Sequence, residues 1–158
     1  MKLLLLSSLV ATMLVPLGLT TTNVVNGQFA GSTRLSVIEI VQNLEKDGYG
    51  PFTELSRDDG NWEVETHKGN ESVELMVDPY SGKVLSEHHD DPDTPPPAGA
   101  MPLSKLLKTV RKNSNTQPIH EVSFERRYWE IEAFRNGQKR ELHVDPITAK
   151  IIADRIDD

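Results

Sequence analysis

Trp62-Glu63-Val64-Glu65 returns later in the chain as Trp129-Glu130-Ile131-Glu132, and Glu74-Leu75-Met76-Val77-Asp78-Pro79 returns as Glu141-Leu142-His143-Val144-Asp145-Pro146, both at an offset of 67 residues. Without a gap, 11 of the 30 positions from Trp62 to Asp91 are identical to their counterparts, and most others exchange like for like, such as Val84 with Ile151 and Leu85 with Ile152. Self-similarity at a fixed period marks a duplicated structural unit. The repeated positions are those a core and its turns require, so the repeat speaks to fold before it speaks to chemistry.

Upstream of Trp62, Ser36-Val37-Ile38-Glu39 reads as a capping box, in which the serine hydroxyl accepts from the Glu39 amide and the Glu39 carboxylate reaches back to Ser36. Val37, Ile38, Ile40, Val41 and Leu44 then form a stripe at helical spacing that Asp47-Gly48 ends. The period next changes to alternation over Phe52 to Arg57, Trp62 to Lys68, Glu71 to Val77 and Lys83 to His89, which predicts strands. The second copy repeats the plan. A helix near Ser104 carries Leu103, Leu106, Leu107 and Val110, and strands run over Ile119 to Arg127, Tyr128 to Phe134, Gln138 to Val144 and Lys150 to Ile156. Asn136-Gly137 suits the two positive φ angles of a type I′ hairpin. The expected fold class is α+β: two tandem repeats, each one helix followed by a three- to four-stranded antiparallel sheet. The expected boundaries are a signal peptide over 1–29, a first repeat over 33–90, a Pro-rich linker over 91–102 and a second repeat over 103–158. Pro92, Pro95, Pro96, Pro97 and Pro102 make that linker an extended, semi-rigid spacer.

Met1 and Lys2 precede an apolar run from Leu3 to Leu19, broken by Pro16 and Gly18, which reads as a secretory signal sequence cleaved between Gln28 and Ser32. The protein is therefore expected to be exported, to the periplasm or the exterior, with no transmembrane segment after cleavage. The sequence contains no cysteine, so the exported fold rests on its cores rather than on disulfides. Its net charge of -7 hides an asymmetry. Residues 35–91 hold 14 acidic and 4 basic side chains, whereas residues 103–158 hold 9 acidic and 11 basic. That balance excludes nucleic acid as a partner of the whole chain. The basic concentration at Arg126, Arg127, Arg135, Lys139 and Arg140 is where an anionic surface would bind.

Val77-Asp78-Pro79-Tyr80-Ser81-Gly82-Lys83-Val84-Leu85, preceded by the Trp62-Glu63-Val64-Glu65 strand and an apolar helix, resembles the PepSY domain, whose hallmark is an Asp-x-x-Thr/Ser-Gly-Lys/Glu-Val/Ile-apolar segment. Both copies match, and the resemblance covers residues 35–158. It departs from the pattern at Ala149, which stands where Gly82 stands in the first copy, so the second turn is either rearranged or strained. The resemblance implies a domain found in propeptides of thermolysin-like metallopeptidases, where it is similar to inhibitors and folding aids, and in stand-alone exported proteins.

No constellation of nucleophile, base and orienting group can be assembled from the motifs, so the chain is expected not to be an enzyme. His120-Glu121-Val122-Ser123-Phe124 begins like a zinc-peptidase helix but has Phe124 where the second histidine must stand. His88, His89, Asp90, Asp91 and Asp93 are the best candidate metal ligands, imidazoles suiting zinc, copper or nickel and carboxylates calcium or magnesium. Apart from such a divalent cation, no cofactor is expected. Glu63 with Glu65, and Glu130 with Glu132, read as solvated carboxylates on one strand face, and His67 and His143 as single surface or packing histidines. The expected function is that of a non-catalytic exported protein that binds another protein through a strand edge or loop, a secreted peptidase being the partner the resemblance implies. The alternative is a divalent-cation-binding or sensing accessory protein of the periplasm.

Overall fold

The computed structural model describes residues 33–157, so the expected leader over 1–29 and its cleavage site lie outside the described residues. Ser36 caps helix α1 (Val37–Lys46) by the predicted box, its backbone N–H donating to Glu39 Oε2 at 2.8 Å and its hydroxyl accepting from the Glu39 amide. Val37, Ile38, Ile40, Val41 and Leu44 are all buried. Four strands follow, β1 (Tyr49–Asp58), β2 (Asn61–Lys68), β3 (Glu71–Val77) and β4 (Val84–His89). Helix α2 (Leu103–Ser114) then precedes β5 (Ile119–Glu125), β6 (Tyr128–Arg135), β7 (Gln138–Val144) and β8 (Ile151–Ile156). Asn136 and Gly137 turn β6 into β7 with φ of 53° and 79°, the pair of positive angles the dipeptide predicts.

The expectation of two repeats with a sheet each is overturned. All eight strands belong to one antiparallel sheet in the order β4-β3-β2-β1-β5-β6-β7-β8. The join is the pairing of β1 with β5, where Leu55 faces Val122 and Glu54 faces Ser123. Its physical reason lies in the neighbouring registers. Leu75, Val64, Leu55, Val122, Ile131 and Leu142 stand side by side across six strands, all fully buried. A row continuous across the seam needs one core, whereas two separate sheets of this size would each bury only about 60% of their unfolded surface. The helices share that core through Ile40, Val41, Leu44, Leu106, Leu107 and Val110.

A second tie joins the halves. Pro102 precedes α2 and offers no side-chain cap, and Glu45 of α1 takes its place. The backbone N–H and hydroxyl of Ser104 donate to its carboxylate at 3.1 and 2.6 Å. The two Asp-containing turns also match each other. Asp78 Oδ1 accepts from the Ser81 amide and hydroxyl, both at 2.6 Å, and Asp145 Oδ1 accepts from the Thr148 amide and hydroxyl at 2.8 and 2.7 Å. These bonds hold both aspartates below the ordinary carboxylate range. Ala149 keeps the turn of Gly82, with φ of 57° against 70° and the same backbone bond back to the aspartate carbonyl at 2.9 Å. The second turn is therefore strained rather than rearranged, at a cost of about 1 kcal/mol relative to glycine.

Candidate functional site

Alternation along the strands sends every second side chain away from the helices. Glu74, Glu65, Glu54, Ser123, Glu130 and His143 form the row beside the buried one, on the face that carries no helix-facing core residue. A parallel row brings Glu121, Glu132 and Glu141 together. Carboxylates crowded on one sheet face raise one another's pKa. Burial and then Glu121 push Glu54 up, burial and then Glu74 push Glu63 up, and burial and then Glu141 push Glu130 up. Glu65 is pushed furthest, to about 8, by burial, a hydrogen bond with Asp93 and the charges of Glu54, Asp93 and Asp90.

The predicted metal ligands are divided by the same alternation. His88 pairs opposite Glu74 and His89 opposite Val73, so consecutive imidazoles leave β4 on opposite faces. Asp90 closes the strand by donating its N–H to the Ser72 carbonyl, and Asp91 donates to the Asp90 side chain. Asp90 and Asp93 do come together, with Glu65 as third member and all ligand atoms within 4.8 Å of one another, whereas His88, His89 and Asp91 take no part. That set offers only carboxylate oxygens, a donor set for calcium, magnesium or manganese rather than zinc or copper. Glu65 was legible in sequence only as a solvated strand residue, because nothing local places it under the linker.

Glu65 carries a prediction. Its folded pKa lies above the unfolded value of 4.5, so the folded state holds the extra proton and stability falls as pH rises from about 4.5 to about 8. Glu65→Gln removes that loss and is expected to stabilise the protein at pH 8 by about 1–2 kcal/mol after allowance for solvent screening, with little effect at pH 4. Urea unfolding of both proteins across this range checks it, and an equal pH dependence in the variant refutes it.

A second group lies in the other half. His143 Nε2 donates to Glu141 at 2.6 Å and stands 3.5 Å from Glu130, with the Tyr128 ring stacked on the imidazole at 4.2 Å. Its ligand atoms are also mutually within 4.8 Å. Met76 occupies the corresponding position of the first half. The signal for this group was the alternation of Tyr128, Glu130 and Glu132 on one strand against Glu141 and His143 on the next.

The basic residues are largely engaged within the sheet. Arg135 and Arg140 share Asp154, Arg135 at 2.9 Å, and Lys139 sits between Glu132 at 2.8 Å and Asp157 at 2.6 Å. These bonds raise the Lys139 pKa further above its ordinary value. Arg126 and Arg127 form the exposed β5–β6 turn.

Among the described residues, the outer strands β4 and β8 each have one neighbour only. Tyr80, Leu85, Ile147, Ile152 and Ile156 are the exposed large hydrophobic residues among those described, and all five lie in the two outer hairpins. Leu85 and Ile152, at equivalent repeat positions, are 58% and 56% exposed, both at a bulge beside the edge. Aliphatic side chains on an unpaired strand edge are what sheet proteins ordinarily avoid.

Comparison with curated proteins finds no match. Among solved structures, the fold is similar to that of a candidate lipoprotein from Clostridium difficile 630, with a TM-score of 0.45 and 16% identity over 77% of this chain and 90% of that one. No helix among the described residues is long and apolar enough to cross a membrane. Residues 28–88 match the family described as peptidase propeptide and YPEB domain. Similarity to this family points to a non-catalytic protein that is exported or resides in the envelope. The matched segment takes in α1, the Asp78 turn, β1 to β3 and all but the last residue of β4, and over it the chain is similar to the PepSY-like domain family.

Proposed function

We propose that the protein is a non-catalytic binding protein of the envelope or exterior that adds a strand or apolar loop of a partner protein to its sheet edges, the partner being a secreted peptidase. The observation that carries this reading is the confinement of the exposed large hydrophobics to the outer hairpins. Strand addition takes affinity from main-chain hydrogen bonds and specificity from alternate side chains, and Leu85, Ile152 and Ile156 supply apolar contacts where an incoming strand would lie. The expected result is binding to, or slowing of, a thermolysin-like peptidase at micromolar concentration. Ile152→Lys, a change at an exposed site, is expected to weaken that binding about tenfold while leaving the melting temperature in place. Absence of binding to any co-exported peptidase at that concentration refutes the reading.

The cluster of Glu65, Asp90 and Asp93 favours a second reading, in which a hard divalent cation displaces the proton that Glu65 holds. Millimolar calcium would then raise the melting temperature of the protein and leave that of Glu65→Gln unchanged.

A further inference from the structure

A cleft of about 780 Å³ opens between the start of α1, the start of β5 and the end of α2. Arg34, Arg57 and Arg111 line it, and Glu39 is its one carboxylate among the described residues. That carboxylate is already bonded to the backbone N–H and hydroxyl of Ser36. None of the three guanidiniums has an ion-pair partner among the described residues. Arg34 donates to the Tyr80 hydroxyl at 3.2 Å, and Arg57 lies 3.7 Å above the centre of the Trp62 ring. Burial, and after it the charge of Arg34, lowers the Arg57 pKa. Trp62 also lines the cleft, and its buried indole N–H has no acceptor.

The repeat provides a comparison within the molecule. A second cleft of about 600 Å³ is built from the corresponding elements around Trp129, the start of β1 and the start of α2. There the chain's own Pro96-Pro97-Ala98-Gly99-Ala100-Met101 forms a wall, and Glu45 is the only charged residue among those described. Phe124 packs edge-on to Trp129 where Arg57 covers Trp62. Arg34, which lines the first cleft, stands at the position equivalent to Met101 of that wall. The two sites therefore share a shape suited to extended chain and differ in charge.

We propose that the Trp62 cleft binds an extended acidic peptide segment of a partner protein, with its carboxylates on Arg34, Arg57 and Arg111 and its apolar stem against Leu35, Pro118 and Ile119. Guanidiniums favour carboxylates by paired, planar hydrogen bonds, and a concave site of this volume is of the size that buries several residues. Arg34 touches the outer hairpin at Tyr80, but the proposal does not rest on the edge-strand reading.

The test uses the full chain and a fluorescein-labelled peptide with the sequence of residues 90–99, which is acidic at one end and at the other repeats the segment that lines the second cleft. Anisotropy is expected to show micromolar binding that weakens several-fold as salt rises from about 0.05 to about 0.5 M. The Arg34→Gln/Arg57→Gln double variant should lose at least about tenfold in affinity. Circular dichroism confirms that this variant is folded. Arg57→Lys, which keeps the charge but loses the planar fork and its seat on the Trp62 ring, should weaken binding by about threefold or more, yet less than the double variant does. The proposal is overturned by no binding, by equal binding of the peptide with each aspartate changed to asparagine, by an unaffected double variant, or by inorganic phosphate competing as well as the unlabelled peptide.

Discussion

Replacing Leu55 with aspartate is expected to unfold both halves of the protein together. Leu55 is fully buried between Val64 of β2 and Val122 of β5, at the one place where the two halves of the sheet exchange pairing. A carboxylate there meets no partner on the core face, and removing an uncompensated charge from water costs several kcal/mol after relaxation. Domains of this size are stable by only about 5–15 kcal/mol, so a loss of about 3–5 kcal/mol consumes much of the margin. The two tryptophans allow each half to be followed separately. Trp62 reports the first in a Trp129→Phe background, and Trp129 reports the second in a Trp62→Phe background. Coincident urea transitions, displaced equally by Leu55→Asp, are expected. Separate midpoints, with the second half unmoved, would show that the seam does not couple the halves.

Trp62→Ala is the second large effect. The indole is fully buried beneath α1 at a position whose counterpart, Trp129, is 2% exposed. Emptying such a site costs about 3–5 kcal/mol, and here the Arg57 guanidinium also loses the ring on which it lies. Trp62→Phe should cost much less, under about 1.5 kcal/mol, because the N–H that disappears has no acceptor to lose. A phenylalanine variant as unstable as the alanine variant would mean that the indole nitrogen has a stabilising partner.

Much of the local structure was legible in the sequence because the forces that set it act over a few residues. The Ser36 capping box, the Asn136-Gly137 turn, the Asp78 and Asp145 turns and the period of each strand all belong to this class. The single sheet was not legible. Pairing of β1 with β5 joins residues such as Leu55 and Val122 that no local pattern connects, and both have partners within their own half that satisfy the alternation equally well. The candidate site was half legible for the same reason. Asp90 and Asp93 were named, but His88 and His89 were grouped by adjacency along a strand, where adjacency means opposite faces. Glu65 joins them from two strands away, and Arg57 reaches Trp62 across a turn, neither of which a linear reading can place.

The β1–β5 seam has a further meaning. It joins the corresponding strands of two like halves, antiparallel and with Leu55 against Val122, which is the arrangement a two-fold symmetric pair of identical chains would adopt at the same strand. Covalent duplication thus turns a concentration-dependent association into an intramolecular one and hides an edge that each half alone would leave open. A half cut from this chain would meet copies of itself through β1, so the shared sheet preserves within one molecule the interface of a dimer.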